Sequence, residues 1–262
     1  MIHFYPLRMS MPAFLRTGTR PIPLMAALLR FPDRLVIVDT GLHGEPDLPR
    51  ELARLGVSPE EVDLVVNTHV HPDHAGNNRL FTRAQVVVSR VDYEFARSYC
   101  HAIMDTADPV EVFRRYYPDV QDKQLEKEAR QGQRLARQYW RDDLLGSPQR
   151  IRWIEDRPNL PDPAKLQPLP GHSPGHYGLR LDTSPSLLIC GDALASRLFW
   201  KSRLRELTPR FNNAQHLASK QLLEQCDGLI MGGHDAPFCC RDGGYCTNDE
   251  ILLNHSQRGD IK

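Results

Sequence analysis

The stretch NTHVHPDHAGNN, residues 67–78, places three histidines and an aspartate within six positions, directly after the apolar run VDLVV. Few features constrain a fold as tightly. An apolar run this short and this uniform reads as a strand buried on both faces, which belongs to the interior of a layered α/β sheet. His69, His71, Asp73 and His74 then have to emerge together where that strand gives way to a turn. In an extended segment alternate residues share a face, so His69 and His71 are expected to point at one object from the strand's end. Two imidazoles on one side of an exiting strand are well placed to hold a metal ion. Asp73 and His74 follow after the chain has turned, within reach of a second ion.

The rest of the chain repeats the alternation of strand and helix. RLVIVDTG (34–41) reads as a strand ending in a tight turn, DLPRELARLGV (47–57) as a helix with Gly56 at its C-terminal cap, and AQVVVSR (84–90) as a third strand. From about 91 to 152 the pattern changes to Arg, Gln, Glu and Leu, as in QLEKEARQGQRLARQYWRDDLL, and predicts a helical insertion or lid. Short strands return in LQPLP, YGLRLDT and SLLICGDA, followed by a helix in NNAQHLASKQLLEQC and a last strand in GLIMGGHD. No domain boundary interrupts this series, so residues 1–262 are expected to form one α/β domain.

Three later positions join the cluster's chemistry. His172 lies in PLPGHSPGH, Asp192 ends SLLICGDA and His234 ends GLIMGGHD, each where a strand passes into a loop. Five histidines and two aspartates fill two sites if one carboxylate bridges. His69, His71 and His172 would take one ion, Asp73, His74 and His234 the other, and Asp192 would span both. Nitrogen and oxygen donors without thiolate suit Zn²⁺, with Fe and Mn as alternatives. Two ions about 3.5–4 Å apart clamp a hydroxide and polarise an acyl or phosphoryl oxygen.

Taken in order, VDTG, HVHPDH, PGHSPGH, CGDA and GGHD resemble the motif series of the metallo-β-lactamase fold superfamily across nearly the whole chain. The resemblance implies an αββα sandwich with the metal site along one edge of two sheets. It also implies that Asp39 orients a ligand histidine and that His176 supports the site. Within the superfamily, HVHPDHAGNNRLF, AQVVVSRVDYEFA and the later motifs resemble the N-acyl homoserine lactonase branch, as does the helical segment after VDYEFA. Those lactonases carry a tyrosine three residues beyond the bridging aspartate, where this chain has Ala195; Arg197 and Trp200 are candidates to fill that gap. The expected reaction is metal-assisted hydrolysis of a lactone, ester or related acyl bond, with Asp73 passing a proton to the leaving alkoxide. Hydroxyacylglutathione hydrolases share the same seven ligand types, so thioester hydrolysis is the alternative. A third reading is oxygen or redox chemistry at iron. Diiron flavoproteins of the fold carry glutamate where this chain has His71, and the mononuclear dioxygenases bind one ion.

Composition narrows the partners to a small-molecule substrate. Lysine plus arginine and aspartate plus glutamate number 33 each, so no net charge favours nucleic acid or an anionic membrane. No apolar stretch is long enough for a bilayer, and the N-terminus lacks the apolar core of a secretory signal, which predicts a cytoplasmic protein. Six cysteines, including Cys239, Cys240 and Cys246, read as free thiols. Arg130, Arg134, Arg137 and Arg141 are spaced to share one helical face, most simply a solvated one. His3, His43, His101, His216 and His255 read as surface residues.

Overall fold

The computed structural model describes residues 1–15, 18–201 and 210–255, with the backbone alone at residues 14, 15 and 255. The N-terminal half supplies strands β1 (Ile2–Leu15), β2 (Gly18–Arg30), β3 (Leu35–Val38), β4 (Leu64–Val66), β5 (Gln85–Val88) and β6 (Ile151–Trp153). The C-terminal half supplies β7 (Ala164–Pro168), β8 (Tyr177–Leu181), β9 (Thr183–Ser184), β10 (Leu187–Gly191), β11 (Leu229–Gly232), β12 (Phe238–Cys239) and β13 (Ile251–His255). They form one sheet in the order β6-β5-β4-β3-β2-β1-β13-β9 and a second in the order β12-β11-β10-β8-β7. Among the described residues six α-helices flank them: α1 (Asp47–Arg54), α2 (Pro72–Ala75), α3 (Arg90–Met104), α4 (Pro109–Tyr116), α5 (Asp122–Tyr139) and α6 (Asn213–Glu224).

Strict alternation along the strands builds the layers. On β2, Met25, Ala27 and Leu29 enter the core between the sheets, while Leu24, Ala26 and Leu28 face the helices. On β3 to β5 the split is the same, with Val36, Val38, Leu64, Val66 and Val87 inside and Leu35, Ile37, Val65, Val86 and Val88 outward. The smaller sheet answers with Leu179, Leu181, Leu187, Ile189 and Met231 on its inner face, and Leu188, Cys190 and Ile230 against Leu223 of α6 on its outer face. The result is helix, sheet, sheet, helix, the αββα sandwich expected from the sequence motifs. Both faces of the central strands are buried, which is why they read as continuous apolar runs.

The helices α3, α4 and α5 occupy the segment expected as an insertion. They pack as the outer layer on the larger sheet, through Ala96, Ile103, Phe113, Leu125, Ala129 and Ala136 among others. Gly56 caps α1 in the left-handed region at φ 66°, a conformation that favours glycine. The arginine stripe is shorter than its spacing predicts, because α5 ends at Tyr139 and leaves Arg141 outside the helix. Arg130 pairs with Glu126 at 2.9 Å on the exposed face, and Arg137 Nε donates to Met104 O at 2.6 Å. The six cysteines form no disulfide. No helix among the described residues is long and apolar enough to cross a membrane.

Candidate metal centre

β3 and β4 run parallel, as do β10 and β11, and all four deliver their C-terminal ends to one edge of the sandwich. Asp39 follows β3, Asp192 follows β10 and His234 follows β11 closely. The segment after β4 departs from expectation. Strand pairing stops at Val66, so His69 and His71 sit in a loop and strand alternation does not orient them.

Buried side chains hold that loop instead. Asp39, itself at φ 59°, accepts from Thr68 N at 2.8 Å, from Thr68 Oγ1 at 2.7 Å and from His74 Nδ1 at 2.8 Å. Beneath it, Asn78 Nδ2 donates to Asn67 Oδ1 at 2.7 Å, Thr40 Oγ1 donates to Asn78 Oδ1 at 2.8 Å, and Asn77 Nδ2 donates to the carbonyls of Thr40 and Leu42. Pro72 opens the single-turn α2 with a preset φ, and the amides of His74 and Ala75 both return to His71 O at 3.0 Å. That turn brings Asp73 and His74 back towards His69. The amide and hydroxyl network was not singled out in the sequence, although Asn67, Thr68, Asn77 and Asn78 all lie within the quoted stretch.

The seven expected side chains converge. His71 Nδ1 lies 3.0 Å from His69 Nε2 and 3.1 Å from His172 Nε2. Asp73 Oδ2 lies 3.5 Å from His74 Nε2 and 3.8 Å from His234 Nε2. Asp192 reaches into both groups: Oδ2 is 3.6 Å from His172 Nε2 and 3.3 Å from His234 Nε2, and Oδ1 is 3.5 Å from His74 Nε2. Within each of three subsets, His69 with His71 and His172, His69 with His74 and Asp192, and Asp73 with His74 and His234, the donor atoms lie within 4.8 Å of one another. Room for the Asp192 carboxylate depends on Gly233, where an added Cβ would stand 2.1 Å from Asp192 Oδ1.

The ring nitrogens facing away from the cluster carry its logic. Thr68 Oγ1 gives its own proton to Asp39, so it accepts from His69 Nδ1 at 3.1 Å and leaves His69 Nε2 a bare acceptor. Asp39 holds the proton on His74 Nδ1, and Pro23 O holds that on His234 Nδ1 at 2.8 Å. Each ring thereby turns a nitrogen lone pair inward, the tautomer metal-ligating histidine needs. His74 Nε2 and Asp192 Oδ1 are buried without a hydrogen-bond partner, and bare nitrogens and carboxylates this close repel unless a cation lies among them. The donor set fits two divalent ions.

Titration preferences divide the cluster into two halves. Burial lowers His71 and holds His69 and His172 well below the ordinary imidazole range, so these three are neutral donors. Burial also opposes charge on His74 and His234, but Asp73 and Asp192 outweigh it and raise them to about 10 and about 9. Burial would push the Asp192 carboxyl up; His234 and His74 instead hold it well below the usual carboxylate range. The second half therefore favours positive charge, whether protons or a metal ion supply it.

The remaining expected residues divide. His176 is fully buried, stacks on the His69 ring at 4.9 Å between centroids, and is lowered to about 3 by burial. Arg197 and Trp200 are occupied elsewhere: the Arg197 guanidinium donates to Gly243 O at 2.7 Å and lies over the Tyr245 ring, while Trp200 packs on Phe238. Ala195 is buried, and its carbonyl accepts from His234 N at 3.0 Å. His216 is a correction, because it is buried at 2% exposure on α6 beside Gly171, whereas a surface position was expected. Two functional neighbours went unread in the sequence: Tyr117, whose hydroxyl sits 3.0 Å from His71 Nε2, and Asp92, buried at the start of α3.

An αββα sandwich with histidines and aspartates gathered on the C-terminal edge of its parallel strands defines a class of metal-binding proteins. A model of the metallo-beta-lactamase superfamily matches residues 21–229, and the chain belongs to that superfamily. It is 28% identical over 197 residues to the N-acyl homoserine lactonase AiiB of Agrobacterium fabrum, covering 66% of this chain and 63% of that protein. It is 22% identical over 244 residues to an N-acyl homoserine lactonase of Bacillus cereus, covering 82% of each. Among solved structures it resembles the dizinc quorum-quenching lactonase AidC, with a TM-score of 0.58, 16% identity and coverage of 83% of this chain and 74% of that one. It also resembles the hydrolase AbOPH, with a TM-score of 0.63, 15% identity and coverage of 97% and 94%. At such identities these structures speak for the fold alone.

Proposed function

We propose that the chain is a dinuclear metal-dependent hydrolase acting on a lactone or related acyl bond, with acyl homoserine lactones the first substrate class to test. The observation that carries this reading is Asp192, whose two oxygens reach His172 on one side and His74 and His234 on the other. His69, His71 and His172 would hold one ion, Asp73, His74 and His234 the second, and Asp192 would span them. Two divalent ions so held, zinc before iron or manganese, supply an acidified water and a polarised acyl oxygen.

The protein's own groups do the rest. Asp39 and Thr68 keep His74 and His69 in the tautomers that leave their Nε2 atoms bare. Asp73, whose carboxylate stands beside His74 and His234, would take up the proton that the attacking water gives up and pass it to the leaving alkoxide oxygen. Ala195 offers a methyl group where the lactonases it resembles place a phenol, so this chain contributes one donor fewer to the substrate carbonyl. The names of the curated relatives support the choice of lactones. A cytoplasmic setting belongs to the same reading, supported by six cysteines that form no disulfide.

The test is metal analysis of the purified protein followed by a substrate panel of lactones, thioesters, β-lactams and phosphodiesters. Two transition-metal ions per chain, chelator-reversible activity and a preference for lactones are expected. Two ions with thioesters preferred would move the assignment to thioester hydrolysis. One iron per chain with oxygen consumption would overturn it.

A further inference from the structure

We infer that Asp92 is a positioning residue that sets the three-histidine half of the centre, a role that rests on the two-ion reading above. β4 ends three residues before His69, so no sheet pairing fixes residues 69–71. Asp92 supplies what the strand does not. Its carboxylate, 1% exposed in the first turn of α3, accepts from Val70 N through Oδ2 at 2.6 Å and from Gly175 N through Oδ1 at 3.1 Å. Val70 stands between His69 and His71. Gly175 stands between His172 and His176. One carboxylate thus clamps the two loops that carry all three histidines, and a second tie, Tyr177 N to Thr68 O at 2.8 Å, joins them from the strand side.

The approach is close. A Cβ at Gly175 would stand 2.3 Å from Ser89 Oγ and 2.8 Å from Asp92 N, so the loop reaches the helix start only because this residue has no side chain. On the two-ion reading His69, His71 and His172 share one carboxylate ligand, Asp192, and Asp92 is a second carboxylate held against the loops that carry them. Asp39 serves His74 by direct contact and reaches His69 only through Thr68, whereas Asp92 ties together the two loops of the three-histidine half through their backbone.

The experiment measures zinc affinity by chelator competition on the full-length, metal-stripped chain. His234→Ala leaves the three-histidine half with its full set, and His69→Ala leaves the Asp73/His74/His234 half with its full set. Adding Asp92→Asn to His234→Ala is expected to weaken the retained zinc about 10–100-fold, the usual effect of removing an outer partner of a metal ligand. Adding it to His69→Ala is expected to change affinity by less than about threefold, well under that effect. Equal weakening in both backgrounds, or none in either, overturns the inference. Asp92→Glu keeps the acceptor and the charge, and it carries the same comparison if Asp92→Asn does not fold; a smaller loss confined to the three-histidine half is expected. A wild-type chain that takes up no zinc at the seven residues would overturn the proposed function itself, a result readily told apart from failure of the clamp.

Discussion

His74 is held between two carboxylates: Asp39 Oδ2 lies 2.8 Å from its Nδ1, and Asp192 Oδ1 lies 3.5 Å from its Nε2 on the opposite side of the ring. The ring is fully buried, so its orientation is fixed by these partners and not by solvent. Asp39→Asn replaces an acceptor with an amide facing two donors, Thr68 Oγ1–H and His74 Nδ1–H. Zinc affinity in the Asp73/His74/His234 half should fall about 10–100-fold, with a smaller loss in the half that Asp39 reaches only through Thr68 and His69. Isothermal titration of the stripped protein would read this as unequal weakening of two binding events.

Asp192→Asn keeps the shape of the carboxylate and removes its charge. Because its oxygens face both halves, both ions should weaken together and activity should fall by at least about 10²-fold, while the far-ultraviolet circular dichroism stays that of the wild type. A variant that loses one ion and keeps the other would make Asp192 a terminal ligand.

Gly233→Ala is a test of space. The new Cβ would stand 2.1 Å from Asp192 Oδ1 and 3.0 Å from His74 Cε1, so the carboxylate or the β11 end must shift. Both ions should weaken together, with a thermal midpoint lowered by several degrees, as a change of about 1–3 kcal/mol from overpacking implies. An unaltered ion count would mean that the end of β11 gives way and the carboxylate keeps its place.

Ala195→Tyr restores the phenol that the lactonase branch carries. One oxyanion-type donor is commonly worth about 2.7–4 kcal/mol in the transition state, so kcat/KM on acyl homoserine lactones should rise by up to about 10²-fold. The gain should appear in kcat more than in KM, since the donor acts on developing charge. Ala195 is buried, and the thermal midpoint must be measured alongside to separate chemistry from crowding. Efficient lactone turnover by the wild type, unchanged in the variant, would make the missing tyrosine irrelevant.

The seven side chains of the proposed centre stand out in the sequence because three histidines and an aspartate crowd six positions and the other three follow short strand-like segments. What places them does not. Asp92 reaches Val70 across 22 residues and Gly175 across 83, and a lone aspartate at a helix start looks like an ordinary helix-terminal residue. Tyr117 meets His71 from a helical segment that sequence alone presents as a separate insertion. Nearness in sequence to Asp192 suggests Arg197 and Trp200 as substrate contacts, yet the chain turns there and gives them to Gly243, Tyr245 and Phe238. The hairpin of β1 and β2 was unread for a different reason. Pro6, Pro12, Pro21 and Pro23 interrupt it, and prolines argue against a strand unless it extends beyond its neighbours, as the far end of this hairpin does.

That hairpin also sets a schedule. Pro23 O holds the outer nitrogen of His234 across 211 residues, and Met25 N bonds to Gly233 O in the same place. During synthesis the three-histidine set is complete once residue 172 has left the ribosome. The second set waits for β11, and His234 takes its tautomer only when the end of β11 meets β2. On the two-ion reading, chain order completes one set of histidines before the other, and the N-terminal hairpin is the surface against which the later set closes.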